Sequence, residues 1–172
     1  IELVEGEALE TPLTRQRHTP QSALLIAKKK TAALFRLACH SGAYLAGAGM
    51  EAAEEMSRCG EHLGIAFQIL DDVLDVVSAG DAHGKECGID LRERKPSLVN
   101  VLWLESGSRL AQRLLEPAAS GEDEFVAAAL NELRNGPEVK RALSMAREFI
   151  AAARAALRAA VDAAPKARVW TD

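Results

Sequence analysis

Aromatic residues are scarce in this sequence, at 4%, and no stretch alternates apolar and polar residues long enough to make a convincing strand. The material of a sheet is therefore missing. A basic excess is missing too: the formal net charge is −4, which excludes the general electrostatic footprint of a nucleic-acid binder. No apolar run reaches the roughly 18 residues needed to span a bilayer. The longest, Leu63–Val77, is interrupted by three aspartates. The opening Ile1–Glu10 is acidic and has no basic leader. Its start at Ile1, without a helix cap, reads as that of a fragment or a processed chain. The cysteines, Cys39, Cys59 and Cys87, are widely spaced and form no CxxC pair, which argues against zinc and for reduced thiols in a cytoplasmic protein. His18, His40, His62 and His83 form no i, i+4 ligand pair.

Alanine is abundant instead, and 48% of the 172 residues are hydrophobic. That composition favours helices around a substantial core. Ile1–Leu9 reads as the end of a helix and Glu10–Arg17 as a polar connection. Thr19 before Pro20 is a helix start, with a capping hydroxyl followed by proline at the first helical position. The helix is expected to run to Ala46, ended by Gly47 and Gly49. Glu51–Val77 follows, apolar on nearly every side in its second half, as befits the middle of a bundle. Ser78–Pro96 is a polar loop, and Leu98–Leu115 is helical. Ser120-Gly-Glu-Asp offers a capping box for a helix over Asp123–Arg134. Asn135-Gly-Pro ends that helix, and Glu138–Val161 is a final amphipathic one. The expectation is an all-α bundle forming part of one domain.

Asp71, Asp72 and Asp75 conflict with that architecture. Asp71 and Asp75 are four apart, and Asp72 and Asp75 three apart, so on a helix they are expected to share one open face. Like charges there repel, and each unpaired ion in an apolar setting costs several kcal/mol. A cation resolves the conflict. Mg²⁺ suits it, because this hard ion takes one or two carboxylates together with water and phosphate oxygens. Lys30, Lys85 and Lys95 are cations that can meet a diphosphate, and Gly84 lets backbone approach beside Lys85. Gly80–Glu86 is not a phosphate-binding P-loop: it is one residue short, and Glu86 stands where Ser or Thr is required.

Taken together, these segments resemble the C-terminal half of the trans-isoprenyl diphosphate synthases, or polyprenyl synthetases. Lys30-Thr31 is similar to the family's KT motif. Phe67-Gln68 ahead of Asp71-Asp72-x-x-Asp75 resembles its second aspartate-rich motif. Gly84-Lys85, then Gly88-Ile-Asp90-Leu-Arg-Glu-Arg-Lys95, resembles its GK…GxDLxExK stretch. The resemblance implies an isoprenoid synthase helical bundle, of which residues 1–172 form the C-terminal portion. It implies joining of isopentenyl diphosphate to an allylic prenyl diphosphate, with Mg²⁺ as cofactor and a homodimer as the usual assembly. Asp71 and Asp72 would bind Mg²⁺ with Asp75 in support. Lys30, Lys85 and Lys95 would hold the allylic diphosphate. Thr31 and Gln68 would line the reaction centre, and Asp90 would be a water-mediated or more distant partner.

The sequence departs from the family pattern in places. The first aspartate-rich motif and the isopentenyl-binding arginines belong upstream of Ile1. Glu7 stands where glutamine is common, and Arg94 and Ser97 replace the more usual glycine and threonine. Two other readings stay open: a noncatalytic subunit paired with a separate catalytic chain, and a class I terpene cyclase. Retention of Lys30, Gln68, the three aspartates, Lys85 and Lys95 speaks against a decayed site. The KT and GK…K segments favour the synthase.

Overall fold

Thr19 begins the first long helical run as the sequence suggests. In the computed structural model, which describes residues 1–78, 87–118 and 120–164, its hydroxyl accepts from the Ser22 amide, and Ser22 returns the bond to the Thr19 backbone. Pro20 fills the first helical position. The run is not one regular helix. It consists of α2 (Pro20–Ala27), a π turn (Lys28–Ala32) and α3 (Ala33–Leu45), preceded by α1 (Glu2–Leu9). Two glycines let neighbouring helices close on that turn. A Cβ on Gly6 of α1 would lie 2.6 Å from the Lys30 amide nitrogen. One on Gly64 would collide with the backbone of Ala32. Each lysine of the turn also meets a carboxylate. Lys28 pairs with Glu61 at 2.8 Å, Lys29 with Glu5 at 2.5 Å, and Lys30 with Glu7 and Glu10.

The central helix is α4 (Met50–Val77). It packs chiefly against α3 and the final helix α8 (Glu138–Ala163). Between them come the short α5 (Ile89–Arg92), α6 (Leu98–Glu105), a 3₁₀ turn (Ala111–Leu115) and α7 (Glu122–Asn135). All regular elements among the described residues are helical, as expected. Ile69, Val73 and Val76 of α4 share one core with Leu91, Val99, Leu102, Trp103, Leu114, Phe125 and Leu133. Arg134 of α7 donates to the Val76 carbonyl at 2.7 Å and the Ser78 carbonyl at 3.0 Å, satisfying acceptors that a helix C-terminus leaves over. No helix among the described residues is long and apolar enough to cross a membrane.

Other local expectations also differ from the structure, among them the loop expected over Ser78–Pro96, which carries the short α5. The helix expected over Leu98–Leu115 stops at Glu105, because Gly107 turns the chain at a φ of 78° before the 3₁₀ turn. The helix expected from Asp123 starts at Glu122, capped by Gly121 at a φ of 82° rather than by a Ser120 capping box. The acid that would serve the box, Asp123, pairs instead with Arg92 at 2.7 Å, and its neighbour Glu122 pairs with Arg94. Finally, α4 is left open along one apolar stripe. Phe67 is 54% and Leu74 55% exposed, and Leu63, Leu70 and Val77 continue the same open stripe.

Candidate active site

The π turn directs Lys30 and Thr31 toward α4. Opposite them lies the turn from α5 into α6. Together they frame a cleft of about 220 Å³, lined by Glu10, Lys30, Thr31, Gln68, Asp71, Asp72, Asp90, Lys95 and Ser97 over an apolar floor of Ala23, Ile26 and Ala27. A second hollow of about 280 Å³ continues past it, shares Asp71, Asp90 and Lys95, and adds Leu74, Asp75 and Cys87. Lys85 and Gly84 lie outside the described residues.

The three aspartates share a helix but not the one open face that their spacing suggests, because only Asp71 is exposed. Asp71 is exposed, borders both hollows and has no protein partner among the described residues. Asp72 is only 7% exposed, and both its oxygens are engaged. One accepts from the Gln68 amide at 3.0 Å, and the other from the Leu98 backbone N–H at 2.8 Å. Burial pushes its carboxyl up to about 7 against these two bonds. Gln68 in turn accepts from the Thr31 hydroxyl at 2.6 Å. A hydrogen-bonded chain thus runs from the π turn across α4 to the first turn of α6. Asp75 is half-buried, and its oxygens accept from the Ile89 and Asp90 amides, both at 3.1 Å. It therefore fixes the start of α5, and burial raises its pKa as well.

The cations are tethered. Lys95 lies 2.8 Å from Glu93 and 3.4 Å from Asp90; these bonds, Glu93 first, hold its ammonium above the ordinary lysine range. Burial would lower the Lys30 pKa, but the bonds to Glu10 and Glu7 more than offset it. Asp90 is pushed up to about 6, by burial and then by the Asp75 charge. Sequence reasoning missed the backbone supports. Ser97 accepts from the Asn100 amide as the N-cap of α6. Asn100 itself, 1% exposed in the core, donates to the carbonyls of both Asp90 and Lys95 at 3.1 Å. A polar residue inside the apolar run Leu98–Leu104 was the available signal.

The sequence profile of the polyprenyl synthetase family matches residues 1–133. The chain belongs to the polyprenyl synthetase family. This member is 35% identical over 156 residues to a nonaprenyl diphosphate synthase of Mycobacterium tuberculosis, covering 89% of this chain and 47% of that protein. It is 39% identical over 110 residues to a geranylgeranyl diphosphate synthase of Methanosarcina mazei, covering 63% of this chain and 34% of the other. Among solved structures, it superposes on a geranylgeranyl pyrophosphate synthetase from Pyrococcus horikoshii with a TM-score of 0.79 at 29% identity, covering 94% of this chain and 52% of that one. A polyprenyl synthase from Caulobacter crescentus, complexed with calcium and isoprenyl diphosphate, matches with a TM-score of 0.79 at 28% identity, over 94% and 53% of the two chains. The chain therefore spans about half the length, or less, of the relatives it matches.

The donor set of this family member fits magnesium in one particular way. Its acidic groups are all hard oxygen donors, yet among the described residues no three of them converge to hold an ion unaided. An ion at Asp71 would need water and phosphate oxygens to complete its shell, which is how Mg²⁺ is usually bound.

Proposed function

We propose that this chain supplies the second aspartate wall of a prenyltransferase that joins isopentenyl diphosphate to an allylic prenyl diphosphate. The observation that carries the reading is the cleft itself, where Lys30 and Lys95 stand with Asp71 and Asp72 around one space. In this reading Asp71 holds Mg²⁺, Asp72 joins it when its internal bonds rearrange, and Asp75 keeps the α5 turn in place. When bound, the metal would neutralise charge gathering on the leaving diphosphate. Lys30 and Lys95 would grip the outer oxygens by charge-assisted bonds, with Lys85 a third candidate from sequence. The Thr31 hydroxyl and the Gln68 amide would present fixed dipoles to the reacting carbons, and Asp90 would orient Lys95. Apolar Ala23, Ile26 and Ala27 would limit water near a cationic intermediate. A cytoplasmic homodimer is part of the same proposal.

The test is calorimetric. Mg²⁺ is expected to bind the chain weakly alone and much more tightly with pyrophosphate present, and Asp71→Ala should remove the gain. Equal affinity in both conditions, or an Asp71→Ala variant identical to wild type, rejects the site.

In an active synthase carrying this chain, Lys30→Ala and Lys95→Ala should each lower kcat/KM for the allylic diphosphate about 10- to 100-fold, since each removes a charge-assisted contact. Steady-state kinetics with varied allylic substrate would check this. Unchanged kinetics in both variants would reduce these lysines to partners of Glu10, Glu7 and Glu93.

A further inference from the structure

Arg94 is the one non-glycine residue at positive φ among the described residues, with a φ of 56°. That region is strained for an L side chain. The strain persists only where surrounding contacts over-determine it, and here they do. The side chain is 5% exposed. Its guanidinium grips Glu122 of α7 with both forks, at 2.6 and 3.0 Å. It also donates to the carbonyls of Leu91 at 2.7 Å and Glu116 at 3.1 Å, and stacks 5.1 Å above the Phe125 ring. A bidentate, stacked site of this kind is one that lysine cannot reproduce.

The Arg94 backbone faces the cleft's supports. Its carbonyl accepts from the Leu13 amide at 2.8 Å, which ties in the connection that carries Glu10. The next residue is Lys95, whose amide closes back on the Asp90 carbonyl at 2.9 Å. The left-handed torsion thus sends one side chain into the core and the next toward the cleft. We infer that Arg94 is the positioning residue of the diphosphate cleft, anchoring the Asp90–Lys95 turn to α7 so that Lys95 is held ready for the ligand. The inference rests on the diphosphate reading of the site.

Arg94→Gly removes the anchor and relieves the strain together, so a purely structural role and a positioning role diverge. Pyrophosphate affinity in the presence of Mg²⁺ should fall about tenfold in Arg94→Gly, a coupling typical of residues acting through one another. Amide hydrogen exchange at Leu91–Lys95 should accelerate. In the Lys95→Ala background, Arg94→Gly should cost little more, because its effect passes through Lys95. Arg94→Lys should not restore affinity. Glu122→Gln keeps Arg94 and weakens its clamp; it should give a smaller loss that Lys95→Ala also masks, so the inference stays testable if Arg94→Gly misfolds. Wild-type affinity in Arg94→Gly, or additive losses in the double variants, overturns the positioning role while the diphosphate site stands. Absence of pyrophosphate binding by the wild type overturns the diphosphate reading and this inference with it.

Discussion

Without metal or diphosphate, the chain is expected to grow more stable as the pH falls from 8 to 5. Most small acidic proteins gain from ionised, paired carboxylates, but here the buried ones pull the other way. Asp72 has its pKa raised from 3.8 to about 7, chiefly by burial. A raised carboxyl favours the folded state fully below the unfolded value and loses that contribution as pH rises through the folded one. The window runs from about 4 to about 7. Between pH 8 and pH 5 the protonation of Asp72 contributes on the order of 3 kcal/mol. Asp75 and Asp90 are raised as well, again chiefly by burial, so they act with the same sign. For a chain of this size the melting temperature should rise by about 5–10 °C. Asp72→Asn should flatten the profile, and Mg²⁺ with pyrophosphate should stabilise more at pH 8 than at pH 5. Thermal melts across this range decide it; stability that climbs with pH would show that Asp72 is already compensated by other groups.

The second large effect is a loss. The 172-residue chain alone should make no elongated prenyl product from labelled isopentenyl diphosphate, geranyl or farnesyl diphosphate and Mg²⁺. Ionising an allylic diphosphate requires positive charge on both sides of it, and losing even one well-placed electrostatic contact costs roughly a hundredfold or more in rate. The residues described here bring a single aspartate-rich segment, Asp71–Asp75, to the cleft. Beside them Phe67 and Leu74 face solvent, so water would reach any carbocation formed there. Product at a normal enzyme rate would mean that the reacting carbons sit elsewhere.

Legibility in the sequence varied with the range of the interactions. Asp71, Asp72 and Asp75 stood out because their charge contradicts the apolar helix around them. The helix starting at Thr19 and the break after Asn135 were readable because capping and proline chemistry act within a few residues. The site's supports were not readable in that way. Arg94 meets Glu122 across 28 residues, and Leu98 meets Asp72 across 26. Nothing local to Lys28–Ala32 announces a π turn, and the glycines that let neighbouring helices close on it, Gly6 and Gly64, lie far away in the chain. Lys30 and Thr31 were legible through family resemblance. Their proximity to Gln68 and Asp72 emerged only in three dimensions.

The π turn carries a consequence for tolerance to insertion and deletion. A π turn accommodates one residue more than the α-helical turn it interrupts, so the stripes of α2 and α3 are offset by one helical step. Deleting Lys29 would leave a regular helix from Pro20 to Leu45 that still packs along its length. It would also swing Lys30 and Thr31 about 100° around the axis relative to one flank. Such a shortened chain could fold well and have no grip on its ligand, and alignments that place a gap inside this segment would compare residues pointing in different directions.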